Sequence, residues 1–246
     1  MGTLTNLERT QAHFQTTRWS LVARLHHGDE ADRSRAFEDL ARTYWPPVYA
    51  YLRAKGLSRD AASESTQAFF ADVVIGRELI ATAHGGRLRA LVRTAVQRYV
   101  IDLARRERVR GGDQPKIPIN PETADTLVAA AAGIEPDAAF EKSWATAIVR
   151  EAARRCEAHF RDTGKPGHWE AFEAQVFLPI CAHVAPVPLA QLAARFNTRT
   201  PADIGAWIQV VRKRFQTLIQ EVAAETADSE PAARDEYDAV RLALGS

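Results

Sequence analysis

Cysteine is scarce in this chain: Cys156 and Cys181 are the two among 246 residues, too few for a disulfide scaffold and suited to a reducing compartment. Long apolar runs are missing too, none approaching the roughly 20 residues that a membrane-spanning helix needs. The opening MGTLTNLERTQ shows no basic-then-apolar leader pattern, so the expectation is a cytoplasmic protein with no membrane partner. Net charge is only +1. A global basic field therefore cannot attract nucleic acid, and local patterning must do so. Strand-like alternation and Asn-Gly or Asp-Gly hairpin turns are absent. So are the G-x-S-x-G, Walker, H-E-x-x-H and dinucleotide fingerprints. The expectation is a non-enzyme with no cofactor.

What remains is helical periodicity, which predicts an all-α fold. A helix over residues 18–25 follows Thr16 and Thr17, whose hydroxyls can cap it. The next, over 34–45, carries Phe37, Leu40, Ala41 and Tyr44 on one face, and Pro46 and Pro47 are expected to break it. Val48, Tyr51 and Leu52 continue an apolar stripe to Gly56. Ser58 is placed to cap a helix reaching about residue 74. After a segment over 78–84 and the pair Gly85-Gly86, a long helix is expected over 87–110, stopped by Gly111 and Gly112.

Residues 113–135, with Pro115, Pro118, Pro121 and a run of alanines, read as a flexible linker between two helical domains. Beyond it come a helix over 140–162, a turn over 163–167, a helix over 169–177 and a connection through Pro179, Pro186 and Pro188. A helix over 189–196, a short turn over 197–200 and a long helix over 201–224 then give helix-turn-helix punctuation. The tail over 226–246 is acidic and then weakly amphipathic. It is expected to form a short helix on the second domain.

Charge is concentrated on the helix over 87–110, where Arg87, Arg89, Arg93, Arg98, Arg105, Arg106, Arg108 and Arg110 face only Asp102 and Glu107. Guanidinium groups bind phosphate and guanine edges in a fork and release counterions as they do so. A second basic cluster, Arg212, Lys213 and Arg214, lies on the second helix of the helix-turn-helix pattern, the position that enters a major groove. Thr198, Arg199, Thr200 and Gln209 add hydrogen-bonding groups, and Asp203 adds a negative charge.

In this order the segments FQTTRWSLV, YWPPVYAYLRAKGLS, STQAFFADVV and RLRALVRTAVQRYVIDLARRERVRGG resemble region 2 of sigma-70 family RNA polymerase sigma factors of the extracytoplasmic-function type. LAQLAARFNTRTPADIGAWIQVVRKRFQTLI is similar to region 4 of the same family. The resemblance implies a region 2 domain over 14–112, a linker over 113–135, a region 4 domain over 136–225 and a tail over 226–246. It also implies core RNA polymerase as partner, through the β′ coiled coil and the β flap, together with promoter DNA. Glu64, Thr66, Gln67, Phe69 and Phe70 match the polymerase-docking helix. Arg87, Arg89, Arg93, Arg98, Arg105, Arg106 and Arg108 match the minus-ten helix, with Asp102 as an arginine-orienting acid. Residues 198–214, among them Thr198, Arg199, Thr200, Gln209, Arg212, Lys213 and Arg214, match the minus-thirty-five reader.

The chain departs from the family where an acidic run normally precedes the TQ pair: it has Ala61, Ala62, Ser63 and Glu64, and Ala68 stands after the pair. Weaker docking on β′ is expected. Ser63, Ser65 and Thr66 stand in that surface, so phosphorylation by a Ser/Thr kinase would restore about two negative charges. An anti-sigma protein is an alternative regulator. Val210 stands where the family often has arginine. Two competing readings are a helix-turn-helix regulator acting without core polymerase, and a zinc-dependent enzyme built on Cys156, His159, Cys181 and His183. The C-x2-H and C-x-H spacing fits zinc sites poorly, so no metal site is assigned.

Overall fold

The computed structural model describes residues 24, 28–75, 87–109, 133–198 and 200–245. The expected helices over 18–25 (apart from Arg24) and 78–84, the glycine pairs at 85–86 and 111–112, most of the linker and Arg199 lie outside the described residues. The regular elements described are helical, as the periodicity predicts, with one isolated bridge between Arg87 and Ala227. No described helix is long and apolar enough to cross a membrane.

Two compact units are present. Described residues up to 148, with those from 223 onward, form the first; residues 149–222 form the second. This differs from a division at residues 113–135, because the start of the helix after that segment and the C-terminal tail both belong to the first unit.

In the first unit, α1 (Glu30–Ala54) starts at Asp29, whose carboxylate accepts the Asp32 amide at 2.8 Å. It runs straight through Pro46 and Pro47, correcting the expected break. Two prolines remove two i to i−4 bonds, but Leu40, Tyr44, Pro47, Val48, Tyr51 and Leu52 are all buried on one continuous face. Packing on both sides holds the helix where local preference would end it. Helix α2 (Arg59–Phe69) begins as expected at Ser58, whose hydroxyl accepts the Ala61 amide at 3.2 Å. It passes into a π-helical turn, Phe70–Ile75. Helix α3 (Leu88–Val109) buries Leu88, Val92, Val96 and Tyr99 at helical spacing. An aromatic cluster joins the three: Trp45 stacks on Phe70 at 5.5 Å, Phe69 meets Phe70 edge-on at 5.6 Å, and Tyr99 meets Phe69 edge-on at 5.6 Å.

Helix α4 (Pro136–Asp162) gives its first half, with Phe140 and Trp144 fully buried, to the first unit. Its second half, with Cys156 and Phe160, belongs to the second. It ends in a Schellman cap. Gly164 adopts φ 71°, Lys165 N–H donates to Phe160 O at 2.8 Å, and Gly164 N–H donates to Arg161 O at 3.0 Å.

In the second unit, α5 (Pro166–Phe172), a π turn (Glu173–Phe177) and α6 (Leu178–Ala182) form one helical run. Pro179 was expected in a connection and instead lies inside it. The widened π turn sits immediately upstream, where a proline ring would crowd a regular helix. Trp169, Phe172 and Phe177 gather around Phe215 at 5.5–6.5 Å. Helix α7 (Leu189–Arg195) and helix α8 (Pro201–Ala224) follow. The chain closes with α9 (Glu230–Gly245), back in the first unit.

Candidate nucleic-acid interface

The α7–α8 pair is fixed at its turn by backbone bonding. Asn197 adopts the left-handed φ of 51°, Thr198 N–H donates to Ala193 O at 3.0 Å, and Asn197 N–H donates to Ala194 O at 3.3 Å. Asn is the residue after Gly that accepts this conformation most readily. Thr200 and Asp203 then form a reciprocal cap: the Asp203 carboxylate accepts the Thr200 amide at 2.8 Å, and the Thr200 hydroxyl accepts the Asp203 amide at 3.4 Å. Asp203 is thus spent on starting α8 and satisfying its first-turn donors.

Ile204, Ile208, Val211, Leu218 and Val222 bury one side of α8. Its opposite side exposes Ala206, Gln209, Val210, Arg212, Lys213, Gln216, Thr217 and Gln220. No carboxylate occurs between Asp203 and Glu221. Arg214 departs from expectation: it is half-buried and donates to Glu221 at 3.1 Å, one helical stretch away from the open face. Thr198 is part of the turn, with its hydroxyl directed at backbone carbonyls.

Helix α3 splits into two halves. Arg98, Arg105 and Arg106 are exposed, beside an exposed Ile101, and Asp102 lies 3.5 Å from Arg105. The other half is occupied. Arg89 is 8% exposed; its Nε and Nη2 donate to Glu236 at 3.0 and 3.2 Å, and its Nη1 donates to Glu141. Its guanidinium lies 4.6 Å over the Trp144 ring. Arg93 donates to Glu141 at 2.7 Å, and Arg87 lies 3.6 Å from Asp235 and 3.9 Å from Glu236. Arg89, expected as a DNA contact, is in this state nearly covered and fully engaged by Glu236 and Glu141. The side chain of Arg108 lies outside the described residues.

Burial alone would depress the Arg89 pKa, but its bonds to Glu236 and Glu141 outweigh it and raise it. Burial pushes the Glu236 carboxyl above the ordinary range, against the pull of Arg89 and Arg87. The two directions are compatible because two carboxylates share one guanidinium, which leaves the fully buried one under-compensated. Sequence reasoning missed Glu236 and Glu141. The available signal was a paired acid, Asp235-Glu236, on an amphipathic C-terminal stretch.

On α2, Glu64 and Gln67 are exposed, while Phe69 and Phe70 are core residues that offer a partner no aromatic face. Ser63 is exposed and Ser65 half-exposed. Thr66 is fully buried, its hydroxyl donating to Ala62 O at 2.6 Å, and a kinase cannot reach it in this state.

Among the described residues no three His, Cys, Asp or Glu side chains converge as a metal site. Cys156 is buried, its thiol pushed up to about 11 by desolvation, and Cys181 is exposed. His168 stacks flat on Trp207 at 4.3 Å, and burial lowers its pKa.

No family model, no curated protein and no solved structure matches this chain.

Proposed function

We propose that this protein is a DNA-binding transcription initiation factor of the sigma-70 kind, which joins core RNA polymerase and directs it to promoters. The observation that carries the reading is the outward side of α8: amides, a hydroxyl, Arg212 and Lys213, with no acid for a run of 17 residues, on the second helix of a capped helix-turn-helix. A helix so built fits a major groove, its amides reading base edges and its cations taking phosphates. The exposed Arg98, Arg105 and Arg106 of α3 supply a second basic surface, and the sequence resemblance supplies the polymerase.

Run-off transcription with purified core polymerase tests this reading. Promoter-dependent transcripts are expected, and their number rises when Ser63 or Ser65 is changed to aspartate, because α2 then regains a charge for β′. Exposure of Ser63 and half-exposure of Ser65, against burial of Thr66, favour the serines over the threonine as kinase targets in this reading. No association with core polymerase in any phosphorylation state would sink the reading.

A second reading has one observation in its favour: past its first turn, where Asp60 lies, α2 exposes the single carboxylate Glu64 toward any basic partner. A helix-turn-helix regulator acting alone needs no such surface. It predicts duplex binding without co-purification of core polymerase.

A further inference from the structure

We infer that helix α9 is an internal substitute for a nucleic-acid backbone: its carboxylates Glu236 and Asp235 occupy Arg89 of α3 and Arg87 immediately before it, and nucleic acid takes those arginines when α9 lifts. The inference rests on the reading of α3 as a nucleic-acid-binding helix. Three observations support it.

The first is chemical. Glu236 presents two oxygens to the Arg89 fork at 3.0 and 3.2 Å and a further contact to Arg87 at 3.9 Å. That is the bidentate pattern by which arginine takes a phosphate. The second is energetic. Glu236 and Val240 are the buried residues of α9, while Leu242 is 76% exposed and Leu244 is 44% exposed. A helix meant to stay docked would bury its leucines. This one is held by a single buried apolar side chain, Val240, and by a desolvated carboxylate, a contact that apolar residues of similar volume would often match or exceed in stability. The third is positional. α9 covers Arg89 at the start of α3, pairs with the still exposed Arg87 just before it, and leaves Arg98, Arg105 and Arg106 unpaired with α9, so DNA can engage the second half first and then compete for the first.

Binding of a fluorescent duplex to the full chain, across about 50 to 200 mM salt, tests this. The double variant Asp235→Asn with Glu236→Gln is expected to bind about tenfold more tightly than the unaltered chain. Its salt slope should steepen by about 0.9 for each phosphate that Arg87 or Arg89 newly takes. The control is Glu230→Gln with Asp238→Asn, which makes the same change in net charge on α9 but touches neither arginine; Glu230 pairs with Arg234 and Asp238 with Arg241. A gain no larger than the control's overturns the inference. Hydrogen exchange on the unaltered chain decides independently of any folding defect in the variant: α9 amides exchange faster once duplex is added, and unchanged exchange in the bound state overturns the inference. If duplex is bound yet α9 stays closed, only the latch is wrong. If neither the chain nor any variant binds duplex, the reading of α3 and α8 falls with it.

Discussion

Arg89 and Glu236 lie 147 positions apart in the chain and meet as a two-pronged ion pair, with the carboxylate fully buried and the guanidinium stacked on Trp144. Removing one partner of such a pair leaves an uncompensated charge in a dry site. Arg89→Ala should therefore lower the unfolding free energy by about 3 kcal/mol. Arg98→Ala, at an exposed position of the same helix, should change it by less than about 0.5 kcal/mol. Urea titration of both variants checks the contrast, and equal stabilities would refute it.

On α8, Arg212→Ala and Lys213→Ala should leave unfolding unchanged and weaken duplex binding. Each should reduce the salt slope by about 0.9. Arg214→Ala should do the opposite, because its partner is Glu221 and its side chain is half-buried. Anisotropy titrations over a salt series beside thermal melts separate the two behaviours.

Glu151 accepts from Arg154 at 2.9 and 2.8 Å and from Arg155 at 2.8 Å. The Arg154 bonds, with Arg155 and against burial, hold its carboxyl down at about 2. A carboxyl depressed in the folded state stabilises above its unfolded pKa and loses that contribution as pH falls through the folded one. Arg154 is 63% exposed, so solvent screening limits the effect to about 1 kcal/mol. Glu151→Gln should cost that much near neutrality and progressively less as pH falls from the ordinary carboxylate range through about 2. Unfolding curves of both proteins at several pH values measure the difference.

Thiol chemistry should distinguish the cysteines. Cys181 is exposed and Cys156 is buried with its pKa raised to about 11. Burial raises the Cys181 thiol as well. One thiol should react with a disulfide reagent in the native protein, slowly at neutral pH and faster in mild alkali, and both in denaturant. Two equally fast thiols in the native protein would contradict the burial of Cys156.

Gly164→Ala should destabilise the protein by about 1 kcal/mol, because φ 71° puts a Cβ against the following carbonyl. Beyond Gly164 and its chain neighbours no atom lies within 4 Å of the added one, so the penalty is local backbone strain and not a clash with a packed neighbour. Asn197→Gly, at φ 51°, should be neutral or slightly stabilising. Thermal unfolding of the two variants reads both signs.

Local chemistry was legible in the sequence. Ser58 before α2, the Thr163-Gly164 stop of α4 and the bounds of α8 each follow from a cap or a breaker whose effect is confined to one turn. The misread positions are those where distant residues decide. Pro46 and Pro47 stay helical because both flanks are buried. Pro179 is admitted by a π turn upstream of it. The tail forms the expected helix but sits in the first unit, since the partner that draws Glu236 there is Arg89, which composition marks only as one arginine among many. The same blindness affects the candidate interface: spacing placed the arginines on one helix but did not reveal which were already taken.

The uninterrupted run of α1 through two adjacent prolines has a consequence for how the protein assembles. A segment missing two amide donors at its centre has little tendency to coil as a unit before its surroundings exist. The isolated peptide over residues 30–54 should therefore behave as two short, fraying pieces. Its continuity as one helix should then depend on the buried face it shares with its neighbours.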